Sequence, residues 1–179
     1  MQSYILQVLS LLTIGLSFLN CRSKQFPVPD DQTILFEVTS SNFAWGRHHS
    51  GFFVDIQGNI NVYKNPTKWN HLSAKGEISL AELNENLAQT SLSTVKIPLD
   101  QLNSHKDIIY TIDPDKLSKR QNLGADQGSR EIRCYVYNSK THVYRQILIS
   151  ESGDWNRENK DKPAQKIKEW LNEWSQKIK

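Results

Sequence analysis

Cysteine is scarce in this 179-residue chain. Only Cys21 and Cys134 occur, which excludes the disulfide framework that staples many small secreted domains. Charge of one sign is missing as well. The 22 basic and 19 acidic residues leave a formal charge of +3, mixed along the chain. That is not the basic footprint of a nucleic-acid binder, and no nucleic-acid partner is expected. The five histidines and two cysteines form no HExxH or paired-cysteine spacing, so no zinc motif is present. The apolar run at the front is short of the ~20 residues that span hydrocarbon. No internal repeat is visible.

The front of the chain is nevertheless its most telling part. Ile5 to Leu19 is mostly apolar, and no Lys or Arg precedes it. It ends at Cys21, which Arg22, Ser23 and Lys24 follow at once. This reads as a secretion signal, with a cysteine placed for lipid attachment. The approach to Cys21 resembles the lipobox of bacterial lipoproteins in a loose form. Phe18, Leu19 and Asn20 stand where the common pattern has Leu, a small residue, and Gly or Ala. An ordinary cleaved signal and a retained anchor are the competing readings.

The resemblance implies residues 1–20 as signal, Cys21 as the acylated residue, and membrane lipid as a partner. Each methylene buried in the bilayer contributes about 0.8 kcal/mol, and stable anchoring takes more than one chain. The localisation implied is the cell envelope, at the outer membrane, on its periplasmic or surface face. Residues 21–32, with Pro27, Pro29, Asp30 and Asp31, read as a tether. Residues 33–179 are long enough for a single domain with a real core.

Inside the domain, Ile34, Phe36 and Val38 alternate as on a strand. Gly51–Asn65 reads as a hairpin turning at Gln57-Gly58-Asn59. Ser79-Leu80-Ala81-Glu82 is a capping box opening a helix with Leu80, Leu83 and Leu87 on one face. A second short helix is expected near residues 100–112, where Ile108, Ile109, Tyr110 and Ile112 fit a strand equally well. Residues 116–131 read as a long loop.

A second hairpin follows. Ile132, Cys134 and Val136 share one face of its first strand, and Arg133, Tyr135 and Tyr137 the other. The Cys134 thiol is expected to lie in the core. The tail is the strongest helix, with Pro163 in its first turn. Ala164, Ile167, Leu171, Trp174 and Ile178 form its apolar stripe, widened by Trp170. The parts indicate an α+β fold: an antiparallel sheet of about five strands, about three helices, and the C-terminal helix on one face.

Candidate site residues fall in two places. WGRHHSGFFVD brings Trp45, Arg47, His48, His49, Ser50 and Asp55 together in sequence. A nucleophile, base and orienting carboxylate are all present. However, adjacent histidines on a strand face opposite ways, and Ser50 lacks a strand–turn–helix setting. Glu37 and Asp55 are a further candidate carboxylate pair. The other place is GDWNR, with Trp155 and Arg157. Trp45, Trp69 and Trp155 are all expected in loops, where aromatic residues beside arginine anchor interfaces.

The domain also resembles short bacterial secreted proteins that carry a GFFVDxxGNxxxY hairpin and a GDW turn before a terminal helix. In this chain these are Gly51–Tyr63 and Gly153–Trp155. The resemblance supports an envelope setting and implies no activity. The expected function is a membrane-anchored, non-catalytic module binding a protein or cell-wall glycan such as peptidoglycan. No cofactor, metal or catalytic residue is expected in it. The alternatives are a small envelope hydrolase or metal-dependent enzyme centred on His48, His49 and Asp55, and an inhibitor that blocks a partner.

Overall fold

The computed structural model describes residues 28–178. The leader, Cys21 and most of the tether lie outside the described residues. Among the described residues nine strands build one antiparallel sheet. In chain order they are β1 Ile34–Asn42, β2 His48–Asp55, β3 Asn59–Lys64, β4 Glu77–Ser79, β5 Ser91–Lys96, β6 Gln121–Asn122, β7 Ser129–Asn138, β8 Val143–Gly153 and β9 Trp155–Glu158. The helices are α1 Leu80–Leu87, α2 Leu99–Lys106 and α3 Lys162–Lys177. The spatial order is β5-β3-β2-β1-β7-β8-β9-β6, with β4 added beside β8.

The expected α+β class and three helices hold. The sheet is larger than the expected five strands because short or polar segments extend its edges. Polar β5 pairs with β3, and β6 with β9. The stretch 116–131 is therefore not one loop. It holds β6 and the start of β7, and Leu117 bridges to Asn159. Residues 109–111 form a turn of 3-10 helix, which settles the strand-or-helix ambiguity there.

Gly58, at φ +80°, turns the first hairpin where a side chain would also meet the Ile97 carbonyl. Asp55 holds the same turn. Its carboxylate accepts from the backbone of Gln57 at 2.9 Å and of Asn59 at 2.8 Å. The α1 capping box closes as expected, with Ser79 and Glu82 satisfying each other's backbone N–H.

The period-two alternation of strands places successive side chains on opposite faces. One face carries Phe36, Val38, Phe52, Val54, Ile132, Cys134, Ile147 and Ile149, all buried beneath α2 and α3. Asp161 caps α3, and Ala164, Ile167, Trp170, Leu171 and Trp174 face the sheet, all buried. The opposite face is also covered in part. There Phe53, Tyr63, Tyr135, Tyr137 and Tyr144 pack against Ile78 and Leu83, under α1 and the segment leading to it.

The folded unit begins before the anticipated tether boundary at residue 32. Val28 packs on the core, and Gln32 is fully buried. The Gln32 amide donates to the Ile34 and Tyr135 carbonyls and accepts from the Tyr137 N–H and the Tyr110 hydroxyl. It serves backbone groups that a neighbouring strand would otherwise satisfy.

Candidate functional site

The second face of the sheet changes character along its length. Toward one end it is tyrosine-rich and apolar. Toward the β1–β2 turn the same alternation supplies Glu37 and Thr39 from β1, His49 from β2, and Glu131 and Arg133 from β7. Antiparallel pairing sets Glu37 opposite Arg133 and Thr39 opposite Glu131. The segment before α1 crosses above them. A cavity of about 190 Å³ remains between, lined also by Trp69, Asn70, His71, Leu72 and Phe43.

A buried ion pair forms its floor. Arg133 Nη1 lies 3.5 Å from Glu37 Oε2, and Arg133 Nη2 bonds Glu131. Glu37 accepts hydrogen bonds from the Tyr63 hydroxyl at 2.9 Å and the Tyr135 hydroxyl at 2.5 Å. Burial would lower the Arg133 pKa, but the flanking Glu37, Tyr135 and Glu131 raise it overall. Burial and the Glu37 charge push the Tyr63 and Tyr135 phenols well up, so both stay protonated donors. Gly51 admits this packing, since a Cβ there would sit 2.6 Å from the Tyr63 hydroxyl and 2.1 Å from the Val38 carbonyl.

The charges continue across the sheet. Glu131 stands opposite Glu151 of β8. Glu151 is 2% exposed and is held by Arg120 and, at 2.7 Å, by Arg157 Nε. Burial raises the Glu151 pKa, but these two arginines bring it below the usual value. Three carboxylates thus meet three guanidinium groups, and the row is neutral.

Not every polar atom in the cavity wall has a partner. His49 is 7% exposed and Arg133 9%. Both ring nitrogens of His49 and the Nε of Arg133 make no hydrogen bond within the protein. The His49 ring packs edge-on to Trp69, with centroids 5.1 Å apart. Burial lowers its pKa, which keeps the ring neutral at neutral pH.

The sequence candidates divide among several places. His49 lies in the cavity. His48, its neighbour, is exposed and points to the other face, as strand alternation requires. Asp55 sits six residues further along β2, roughly 20 Å at strand rise, with its carboxylate committed to the turn. His48, His49 and Asp55 therefore do not converge. Glu37 pairs across with Phe53, not Asp55, so these carboxylates are not a pair either.

The tryptophans differ in exposure and in what they pack on. Trp45 is 79% exposed at the tip of the β1–β2 turn. Trp69 is half-buried, packed on Tyr63 at 4.3 Å. Trp155 is exposed on β9 beneath the Arg120 guanidinium. Arg47 reaches across to the Pro66 carbonyl at 2.7 Å and ties the turn to the covering segment. Arg157 is taken up by Glu151.

Among the described residues, no group of three or more His, Cys, Asp or Glu is arranged to hold a metal ion. The Cys134 thiol is buried, and burial pushes its pKa well up. No protein-family model, curated protein or solved structure matches the chain.

Glu131, Glu37, Thr39 and His71 were missed as site residues, or weighed in another role. The available signal was the polar side of β1, where Glu37 and Thr39 alternate with Phe36 and Val38. A polar alternate on a strand whose other face is core reads as solvent-facing, and only the covering segment turns it into a cavity wall.

The buried histidines make stability depend on pH. His105 stacks on Trp170 at 4.1 Å, and burial lowers its pKa as it does that of His49. In the unfolded chain both return to about 6.5. Below that value the unfolded state takes up protons more readily, so stability falls as pH drops through it and levels off below the lowered folded values. Thermal melting is therefore expected to move down between about pH 7.5 and about pH 5.5. Replacing both residues, as His49→Leu with His105→Gln, flattens that part of the profile; an unchanged slope in the double variant would refute the assignment.

Proposed function

We propose that this chain is a non-catalytic binding module of the bacterial cell envelope, held at a membrane by lipid on Cys21. Its target is an envelope protein or a cell-wall glycan. One observation supports the binding role above the rest: a cavity whose wall holds His49 and Arg133 atoms that no protein group satisfies. A buried polar atom without a partner costs about 1–3 kcal/mol, and native proteins satisfy such atoms with water or ligand. The separation of His48, His49 and Asp55 favours binding over a hydrolase built on them.

The anchor rests on the leader and on the loose lipobox before Cys21. The charge-free run 1–20 and the polar, proline-bearing stretch after Cys21 suit delivery to a bilayer and release of the domain from it. The proposed location is the cell envelope at the outer membrane, on its periplasmic or surface face.

The test is intact mass analysis of the protein recovered from host membranes. The expected mass begins at Cys21 and includes acyl chains, and Cys21→Ser shifts the protein to the soluble fraction. Recovery of unacylated, freely soluble wild-type protein would overturn the anchor.

A further inference from the structure

The cavity around His49 also defines the chemistry of what it accepts. We infer that it takes a single neutral sugar ring, an uncharged pyranose of the kind found at the ends of envelope glycans. The inference rests on the binding role proposed above and names its ligand class.

Size is the first argument. The cavity measures about 190 Å³, well below the ~300–1,000 Å³ of pockets that enclose drug-sized ligands. At ~30 Å³ per water it has room for about six waters, or one ring with its hydroxyls in their place. A peptide segment or a lipid chain does not fit.

Charge is the second. The ionised groups near the cavity are Glu37, Glu131 and Arg133 in its wall and Arg47, whose charge acts on His49, so two carboxylates face two guanidinium groups. His49 is neutral at neutral pH because burial lowers its pKa. An anion would meet Arg133 already engaged by two carboxylates. A cation would meet the Arg133 guanidinium with no free carboxylate pair to hold it. An unpaired charge buried in such a site is costly, which leaves neutral ligands.

The polar inventory is the third. A neutral imidazole offers one donor and one acceptor, and both are unpartnered here. Arg133 Nε adds a donor. Sugar hydroxyls donate and accept at once, so they match a mixed set that a carbonyl or an amine alone would not. Apolar wall comes from Phe53, Trp69 and Leu72, and the C–H face of a pyranose suits an aromatic wall. His71 and Phe43 are exposed and line the same cavity, so the ring enters past them and the rest of a glycan extends into solvent.

The experiment titrates the full chain, held in phosphocholine micelles, with glucose, N-acetylglucosamine, glucuronate and glucosamine. The readout is the ring resonances of His49 in the wild type, and in both wild type and variant those of Trp69, which lines the same cavity. Both neutral sugars are expected to shift them saturably, and the charged analogues to bind at least tenfold more weakly. His49→Leu is expected to weaken neutral-sugar binding about fivefold, as loss of a hydrogen bond worth roughly 1 kcal/mol implies. The wild-type titration stands by itself if that variant fails to fold.

Resonances unmoved by both neutral sugars would mean that the cavity holds only water, and would overturn the inference. Equal shifts from charged and neutral sugars would overturn it too. Neither result touches the acylation of Cys21, and loss of acylation would leave this titration unchanged.

Discussion

Arg133→Ala is expected to destabilise the fold by about 3–5 kcal/mol, because it strands a buried carboxylate. Glu37 is 3% exposed, and among the described residues its only cationic contact is Arg133. The two tyrosine hydroxyls remain, but they donate hydrogen bonds without neutralising charge. Glu131 loses its partner at the same time. For a domain of this length the melting temperature should fall by roughly 10 °C.

Glu37→Gln leaves Arg133 paired with Glu131 and should cost less. The double variant Glu37→Gln, Arg133→Gln should cost less than the two single changes summed, because each removes a charge the other left unpaired. Urea unfolding with an unchanged m-value measures this. A loss below about 1 kcal/mol for Arg133→Ala would place the pair in solvent and remove the buried floor of the cavity with it.

The parts of this structure that are legible from sequence are those whose information is local. The β2–β3 hairpin announces itself through Gly58 and the flanking alternation. Ser79 and Glu82 sit three residues apart, so the start of α1 is visible. The α3 stripe repeats at helical spacing. The same locality predicts that His48 and His49 face opposite ways.

What escapes the sequence depends on register. Strands β4, β5, β6 and β9 are short or polar, and they exist because an edge was available to receive them. Glu37 and Arg133 are far apart in the chain and meet only because β1 pairs with β7 in one register. A shift of one residue would move Arg133 to the other face. Trp69 looks like a loop residue by its neighbours, yet the loop folds back over Tyr63. Asp55 looks like a site residue beside two histidines, but a short polar side chain just before Gln57-Gly58-Asn59 is also what a turn uses.

The register that builds the cavity is itself held from the other side of the sheet, and Trp170→Ala tests that support. Trp170 is 6% exposed and lies between Phe36, edge-on at 5.3 Å, and His105, stacked at 4.1 Å. Phe36 immediately precedes Glu37 on β1, so the ring clamps the strand whose reverse face forms the cavity floor. Truncation to Ala removes the indole and leaves a void that α3 cannot fully close, at an expected cost of about 3–5 kcal/mol. A second readout separates this from nonspecific damage. Part of the burial that lowers the His105 pKa is the indole itself, so in the variant the His105 ring should titrate closer to its ordinary value. A large loss of stability with His105 titration unmoved would show that the ring packs against Phe36 alone, and that α2 is not fastened to α3 through this stack.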